Sequence, residues 1–179
     1  MAIKTLQEKF THELKDIYDA EHQFLQGQEL MLRNATDGTL KQMITQHIDQ
    51  TRQHITNLEQ AFNLLGEKAE RVMCEGAKGI VSEGQKSMKE AAGSPDILDL
   101  VILGGASKVE HYEISTYRGL VTGAQMMGQR DVANLLQQNL QQEEQTARMI
   151  EQTEGLMLQR AVSSQGAMGN SAYNQTTTG

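Results

Sequence analysis

Four long segments of this chain repeat apolar residues every three or four positions, which is the spacing of one face of an α-helix. They cover about residues 5–33, 40–65, 95–127 and 132–162. The single proline, Pro95, follows Ser94 at the start of the third segment, where its missing N–H costs no hydrogen bond. Aromatic residues make up only 4% of the chain, so little material favours β-strands. The pattern predicts an all-α fold.

The connections between these segments predict how the helices are arranged. Residues 67–93 are interrupted by several glycines and carry a weaker helical pattern, which indicates a short extra helix in a long crossover. We therefore predict a four-helix bundle over residues 1–162. Residues 163–179 are rich in Gly, Ser and Thr and offer little to bury, so we expect a flexible tail there.

Composition and charge exclude several classes of protein. The net charge is −7 and no basic cluster could neutralise a row of phosphates, so we expect no binding to nucleic acid. No apolar run approaches the roughly 18 residues of a membrane span. Cys74 is the only cysteine, which excludes an intrachain disulfide, and the first residues form no signal peptide. We expect a cytoplasmic protein without a membrane segment.

Acidic side chains interrupt the apolar stripes that should face the core. Glu21 follows Ile17 by four residues and precedes Phe24 by three, and Glu143 follows Leu140 by three. Residues three and four apart share a helix face, so both carboxylates are predicted to point inward. Buried carboxylates that face one another repel and lose hydration, and a bound cation is the simplest compensation.

The other two long helices carry polar residues at comparable depth. Glu110, Glu113 and Tyr117 follow one another at spacings of three and four in the third long helix. In the second, the same spacings relate His47, Gln50 and His54. Carboxylate oxygens together with imidazole nitrogens suit iron, manganese or zinc.

A faint internal repeat ranks the two acids of the third long helix. The stretch Ala20-Glu21-His22 resembles Val109-Glu110-His111, so a bundle built from two similar hairpins would place Glu21 and Glu110 in related positions. We therefore predict that Glu110 is a ligand and that Glu113 contacts the ligands rather than the ion. Tyr18 and Tyr117 are predicted to contact ligands rather than the ion.

Six stretches carry a resemblance to a known family: DIYDAEHQ, HIDQT, NLEQAFNLLG, CEGAKG, KVEHYEISTY and LLQQNLQQEE. On these stretches the chain resembles the YciE/YciF family of small bacterial ferritin-like proteins. The resemblance implies a ferritin-like four-helix bundle that forms a homodimer or higher homo-oligomer, a di-iron or di-manganese centre, and a role in the stress response. The wider ferritin-like group implies ferroxidase or peroxide-related chemistry, although fold alone does not establish an activity.

One departure from the family leaves the ligand set open. The family motif reads H-x-E-E-T, whereas residues 47–51 here read HIDQT, so Gln50 offers a neutral oxygen in place of a charge. The second helix could supply Gln50, Asp49, His47 or His54 in addition to Glu21, Glu110 and Glu143. The competing hypothesis is a metal-free bundle with a structural or interaction role, and Gln50 is its best support.

Overall fold

The computed structural model describes the backbone of residues 3–175 and the side chains of residues 3–163. Five helices are formed: α1 Leu6–Asn34, α2 Gly38–Leu65, α3 Glu75–Ala91, α4 Pro95–Met126 and α5 Arg130–Gln175. Over the described residues there is no β-strand, so the all-α prediction is confirmed. No helix in that part of the chain has the length and apolarity that a membrane span requires.

Local sequence explains where the first two helices begin and end. At the start of α1, the Thr5 hydroxyl accepts from the backbone N–H of Glu8, and the Glu8 carboxylate accepts from the backbone N–H of Thr5. This reciprocal pair is the capping box that the sequence predicts. At the end of α2, Gly66 adopts φ of 68°, the left-handed conformation that glycine enters without steric cost.

The helices form two antiparallel hairpins joined by a long crossover. Helix α1 packs on α2 and on α4, and α5 packs on both α2 and α4. The order around the bundle is therefore α1, α2, α5, α4. Helix α3 lies in the crossover and packs on α1 and α4. The predicted bundle with one additional short helix is confirmed.

Two apolar clusters fill the core, one toward each end of the bundle. The first includes Phe10, Leu14 and Phe62, and the second includes Met31 and Leu103. Buried polar side chains lie on all four long helices where one cluster gives way to the other. Helical periodicity brings them inward, because they occupy the same stripes as their apolar neighbours.

A buried carboxylate ties α4 to the turn between α1 and α2. Asp99 is 2% exposed and accepts from the backbone N–H of Thr36 at 2.7 Å, from the Thr36 hydroxyl at 2.6 Å, and from the backbone N–H of Asp37 at 2.8 Å. We expect Asp99→Ala to lower the free energy of unfolding by about 3 kcal/mol, because three charge-assisted hydrogen bonds are lost. Urea unfolding measures this. The exposed neighbour Asp96→Ala is the control, and an equal loss in both variants would contradict the assignment.

The C-terminal helix continues beyond the predicted end of the bundle domain. Helix α5 reaches Gln175, whereas the sequence predicts a tail from residue 163. The last four residues of that tail, 176–179, lie outside the described part of the chain, as do the side chains after Ser163. The flexibility of the tail stays a prediction.

Candidate metal centre

Six buried titratable side chains converge in the middle of the bundle. The four carboxylates and one imidazole are 0% exposed, and the second imidazole is 6% exposed. All four long helices contribute: Glu21 from α1, His47 and His54 from α2, Glu110 and Glu113 from α4, and Glu143 from α5.

The six residues form two groups that share one member. One donor atom from each of His47, Glu110, Glu113 and Glu143 lies within 4.8 Å of the others in the first group. Glu21, His54 and Glu143 form the second group by the same measure. Glu143 belongs to both, so it would be a ligand at either position if cations are bound.

The closest contacts between these groups are short but are not aligned as hydrogen bonds. His47 Nε2 lies 2.9 Å from Glu110 Oε1, and His54 Nδ1 lies 2.8 Å from Glu143 Oε1. Neither nitrogen has a hydrogen-bond partner, and neither do the oxygens of Glu110, Glu113 and Glu143. Among the described side chains, Thr11 Oγ1 is the one buried unpartnered atom that lies outside the six residues. Cations held by the two groups would satisfy the unpartnered atoms of the six residues, so the donor set fits a metal centre.

Without a cation, the cluster retains protons. Burial raises the pKa of Glu113 well above its usual range, and the negative charge of Glu143 raises it further. Burial opposes a charged imidazole, but the Glu110 carboxylate outweighs it and raises the pKa of His47 to about 9. Burial also opposes a charged Glu143, but the short contacts with Glu110 and His54 and the positive charges of the two histidines outweigh it and lower its pKa to about 2. Binding of a cation would displace these protons.

Each histidine turns its other nitrogen toward a glutamine carbonyl. His54 Nε2 lies 2.7 Å from Gln142 Oε1, and His47 Nδ1 lies 3.4 Å from Gln50 Oε1. A carbonyl oxygen can only accept, so these nitrogens carry the proton in the neutral ring. The opposite nitrogens then present lone pairs to the carboxylates, which is the usual arrangement of metal-bound histidine.

A chain of hydrogen bonds runs from the surface to Glu21. The exposed Gln53 amide donates to Asn57 at 2.9 Å, Asn57 donates to Asn139 at 2.7 Å, and Asn139 donates to the Tyr117 hydroxyl at 3.0 Å. The Tyr117 hydroxyl donates to Glu21 Oε1. Burial and the Glu21 charge raise the pKa of Tyr117, so the phenol stays protonated. This series of hydrogen bonds fixes Oε1 of Glu21 and leaves Oε2 without a partner.

The structure brings most of the predicted site residues together and changes the position of Glu113. Glu21, Glu110, Glu143, His47 and His54 all supply donor atoms to the two groups. Tyr117 contacts Glu21, as the sequence predicts. Glu113, expected behind the ligands, lies among the donor atoms. Three residues along α4 from Glu110, it is on the same helix face.

Three other predicted residues lie outside the donor set. The side chain of Asp49 is 72% exposed and binds Arg52. Asp49 lies two residues along α2 from His47, which is roughly 200° of rotation, so it faces away from the cluster. Tyr18 donates to Glu59 at 2.9 Å, away from the cluster. Gln50 faces His47 rather than the carboxylates.

Sequence reasoning did not identify Asn57, Asn139 and Gln142. Asn57 follows His54 by three residues and Asn139 precedes Glu143 by four. These spacings place both side chains on the buried face of their helix, so the sequence could have predicted that they point inward. Nothing comparable distinguishes Gln142, whose contact with His54 depends on how α5 packs against α2.

We expect Gln142→Leu to lower the affinity for Co²⁺ by about tenfold, because His54 loses the carbonyl that orients its ring. Titration followed by the visible absorption of Co²⁺ measures this. Gln141→Leu changes the adjacent, exposed residue and is the matched control. Equal affinities in the two variants would contradict the role of Gln142.

The fold and the buried cluster define a four-helix bundle protein with a candidate carboxylate–imidazole metal centre. The family model described as a domain of unknown function, DUF892, matches residues 5–162. Protein YciF of Escherichia coli strain K12 is 31% identical over 147 residues, which cover 82% of this chain and 88% of that protein. The chain belongs to the DUF892 family, and its resemblance to YciF-type proteins is confirmed.

Solved structures agree with this assignment. YcfI of Rhodopseudomonas palustris, described as a candidate structural protein, is 34% identical with a TM-score of 0.81; the match covers 83% of this chain and 94% of that one. The E. coli stress protein YciF is 28% identical with a TM-score of 0.83, over 88% and 99% of the two chains. A Xanthomonas campestris protein, 21% identical with a TM-score of 0.71 over 90% and 98%, shares the fold.

Proposed function

We propose that this protein is a ferritin-like metal-binding protein that holds two divalent ions, most suitably iron or manganese. The observation that carries the proposal is the pair of donor groups that share Glu143, with buried atoms that no protein group satisfies. Such atoms are costly in a folded core unless a ligand compensates them.

The charge of the donor set supports two ions rather than one. Four carboxylates carry four negative charges when ionised, which balances two divalent cations held with two neutral imidazoles. Oxygen-rich sets with some imidazole are typical of iron and manganese, and they also accept zinc. Carboxylates from facing helices are the usual ligands of di-iron bundles.

Glutamine at position 50 is compatible with this proposal. Glu113 supplies a fourth carboxylate to the cluster, so the charge absent at Gln50 is present elsewhere. The Gln50 carbonyl instead accepts from His47, a contact that orients a ligand. The sequence feature that most favours a metal-free bundle is therefore consistent with a filled site.

The chemistry of a filled site depends on the metal. With iron bound, the centre would supply the two electrons that, together with two protons, reduce dioxygen to hydrogen peroxide. The residues of this chain contribute by holding the ions: Glu143 would be a ligand at both positions, and Tyr117 keeps Glu21 in place through one oxygen. A role in stress protection is proposed from the resemblance to YciF, which is described as a stress protein.

Assembly and location belong to the same proposal. The resemblance to the YciE/YciF family implies dimers, so we propose a homodimer or higher homo-oligomer in the cytoplasm. Size-exclusion chromatography with light scattering tests the oligomer, and a monomer at all concentrations would contradict it.

Metal analysis tests the proposed function directly. Protein purified without chelators is measured by elemental analysis, stripped, and titrated anaerobically with Fe²⁺ and with Co²⁺. We expect saturation at two ions per chain. Failure to bind either ion would reject the metal centre in favour of a structural or interaction role.

A further inference from the structure

An apolar pocket opens beneath α3 and reaches the first donor group. Its space for the centre of a water-sized molecule is about 20 Å³, which is room for one small molecule. Its walls come from three helices, and its floor includes His47 and Glu110. The wall residues that matter here are Gly27, Met31, Val81, Gly84, Gly105 and Ala106.

Glycines on three helices leave this space open. A Cβ added at Gly84 would meet no atom within 4 Å. At Gly27 the nearest atom would be a Val81 methyl at 3.5 Å, and at Gly105 the Met31 methyl at 3.5 Å. Larger side chains at these positions would narrow the pocket, so its volume depends on the three glycines.

The pocket offers few free polar groups to a ligand. Gln28, which also lines it, donates to the Thr51 hydroxyl at 3.0 Å and accepts from that hydroxyl at 3.1 Å, so its amide is engaged. The buried unpartnered polar atoms are at the floor, on His47 and Glu110, which are assigned to the metal, and the side chain of Gln85 is exposed to solvent. A charged or strongly hydrogen-bonding molecule would lose hydration here without compensation. A small uncharged molecule of low polarity fits better.

We propose that this pocket binds dioxygen and delivers it to the side of the centre formed by His47 and Glu110. The inference rests on the proposed function and adds the route by which dioxygen enters the centre. The overall balance is two Fe²⁺, one O₂ and two protons giving two Fe³⁺ and one H₂O₂.

Xenon tests the pocket in the metal-free protein, because it is an uncharged atom that enters dry apolar space. Methionine methyl NMR reports on Met31 and Met88, both of which line the pocket. Saturating xenon should shift both signals in the wild-type chain and neither in Gly84→Leu. Gly79→Leu alters another glycine of α3 that has open space around it but does not line the pocket, and it should respond like wild type. Val81→Ala, which enlarges the pocket, should strengthen the shift.

Oxidation kinetics test the delivery of dioxygen. Anaerobic Fe²⁺-loaded protein is mixed with dioxygen or with ferricyanide, a large oxidant that does not need the pocket. Gly84→Leu should slow the reaction with dioxygen by about tenfold, with unchanged Co²⁺ affinity and an unchanged rate with ferricyanide. Gly79→Leu should match wild type in all three measurements.

The outcomes separate this inference from the function on which it rests. Absence of Fe²⁺ and Co²⁺ binding would reject the proposed function and the delivery of dioxygen with it. Normal metal binding with no xenon shift, or with an unchanged oxygen rate in Gly84→Leu, would overturn the pocket alone.

Discussion

Glu143→Gln should reduce the binding of Co²⁺ from two ions per chain to none at concentrations that saturate the wild-type protein. Glu143 is the one residue that belongs to both donor groups. The amide keeps the size of the side chain but removes a negative charge and one metal-binding oxygen, so both positions lose a ligand. Anaerobic titration with absorption detection measures the stoichiometry.

The adjacent residue provides a matched control for this prediction. Glu144 is also on α5, but its side chain is 31% exposed and binds Arg118 at 2.7 Å. Glu144→Gln should retain two ions per chain. Retention of both ions by Glu143→Gln would show that Glu143 is not shared, and one remaining ion would assign it to a single position.

Glu113→Leu should make the metal-free protein more stable than wild type while it binds one ion instead of two. Both oxygens of Glu113 are buried without a hydrogen-bond partner, so a leucine of similar size removes a polar group that only a cation compensates. We expect a gain of about 1–3 kcal/mol in the free energy of unfolding, measured with urea in the presence of a chelator. The second donor group contains no Glu113, so one ion remains.

The pH dependence of this gain follows from the raised pKa of Glu113. A carboxyl group whose pKa is higher in the folded state than in the unfolded state stabilises the fold at low pH, and that contribution is lost as pH rises through the folded pKa. The advantage of Glu113→Leu should therefore be larger at pH 7 than at pH 4. Glu151→Leu, at an exposed glutamate of α5, should change stability by less than about 0.5 kcal/mol. A wild-type chain as stable as Glu113→Leu at pH 7 would contradict the interpretation.

The Glu113→Leu substitution also distinguishes the hypothesis of a metal centre from the hypothesis of a metal-free structural bundle. If the cluster existed only to hold the helices together, Glu113→Leu would disrupt it and destabilise the chain. If the cluster exists to hold cations, its buried acids lower the free energy of unfolding of the metal-free protein, and bound ions raise it again. Opposite effects of Glu113→Leu on stability and on metal binding are expected only in the second case.

Much of the site was predictable because α-helix geometry is local. Spacings of three, four and seven residues place side chains on one face whatever the rest of the chain does. Glu21, Glu143 and the pair His47 and His54 were predictable in this way, and so was the inward direction of Glu110. The same rule excludes Asp49 from that face, since it lies only two residues from His47.

The sequence by itself determined five helices, their approximate limits except the C-terminal end of α5, and which faces are buried, since these follow from periodicity and end signals along the chain. Only the tertiary structure decided that Glu113 joins the donor atoms, that Gln142 faces His54, and that glycines of three helices leave a pocket beside the cluster. Each of these depends on the axial offset and rotation of one helix against another. A shift of one residue along a helix moves a side chain by 1.5 Å and turns it by about 100°, so spacing within one helix cannot specify contacts between two.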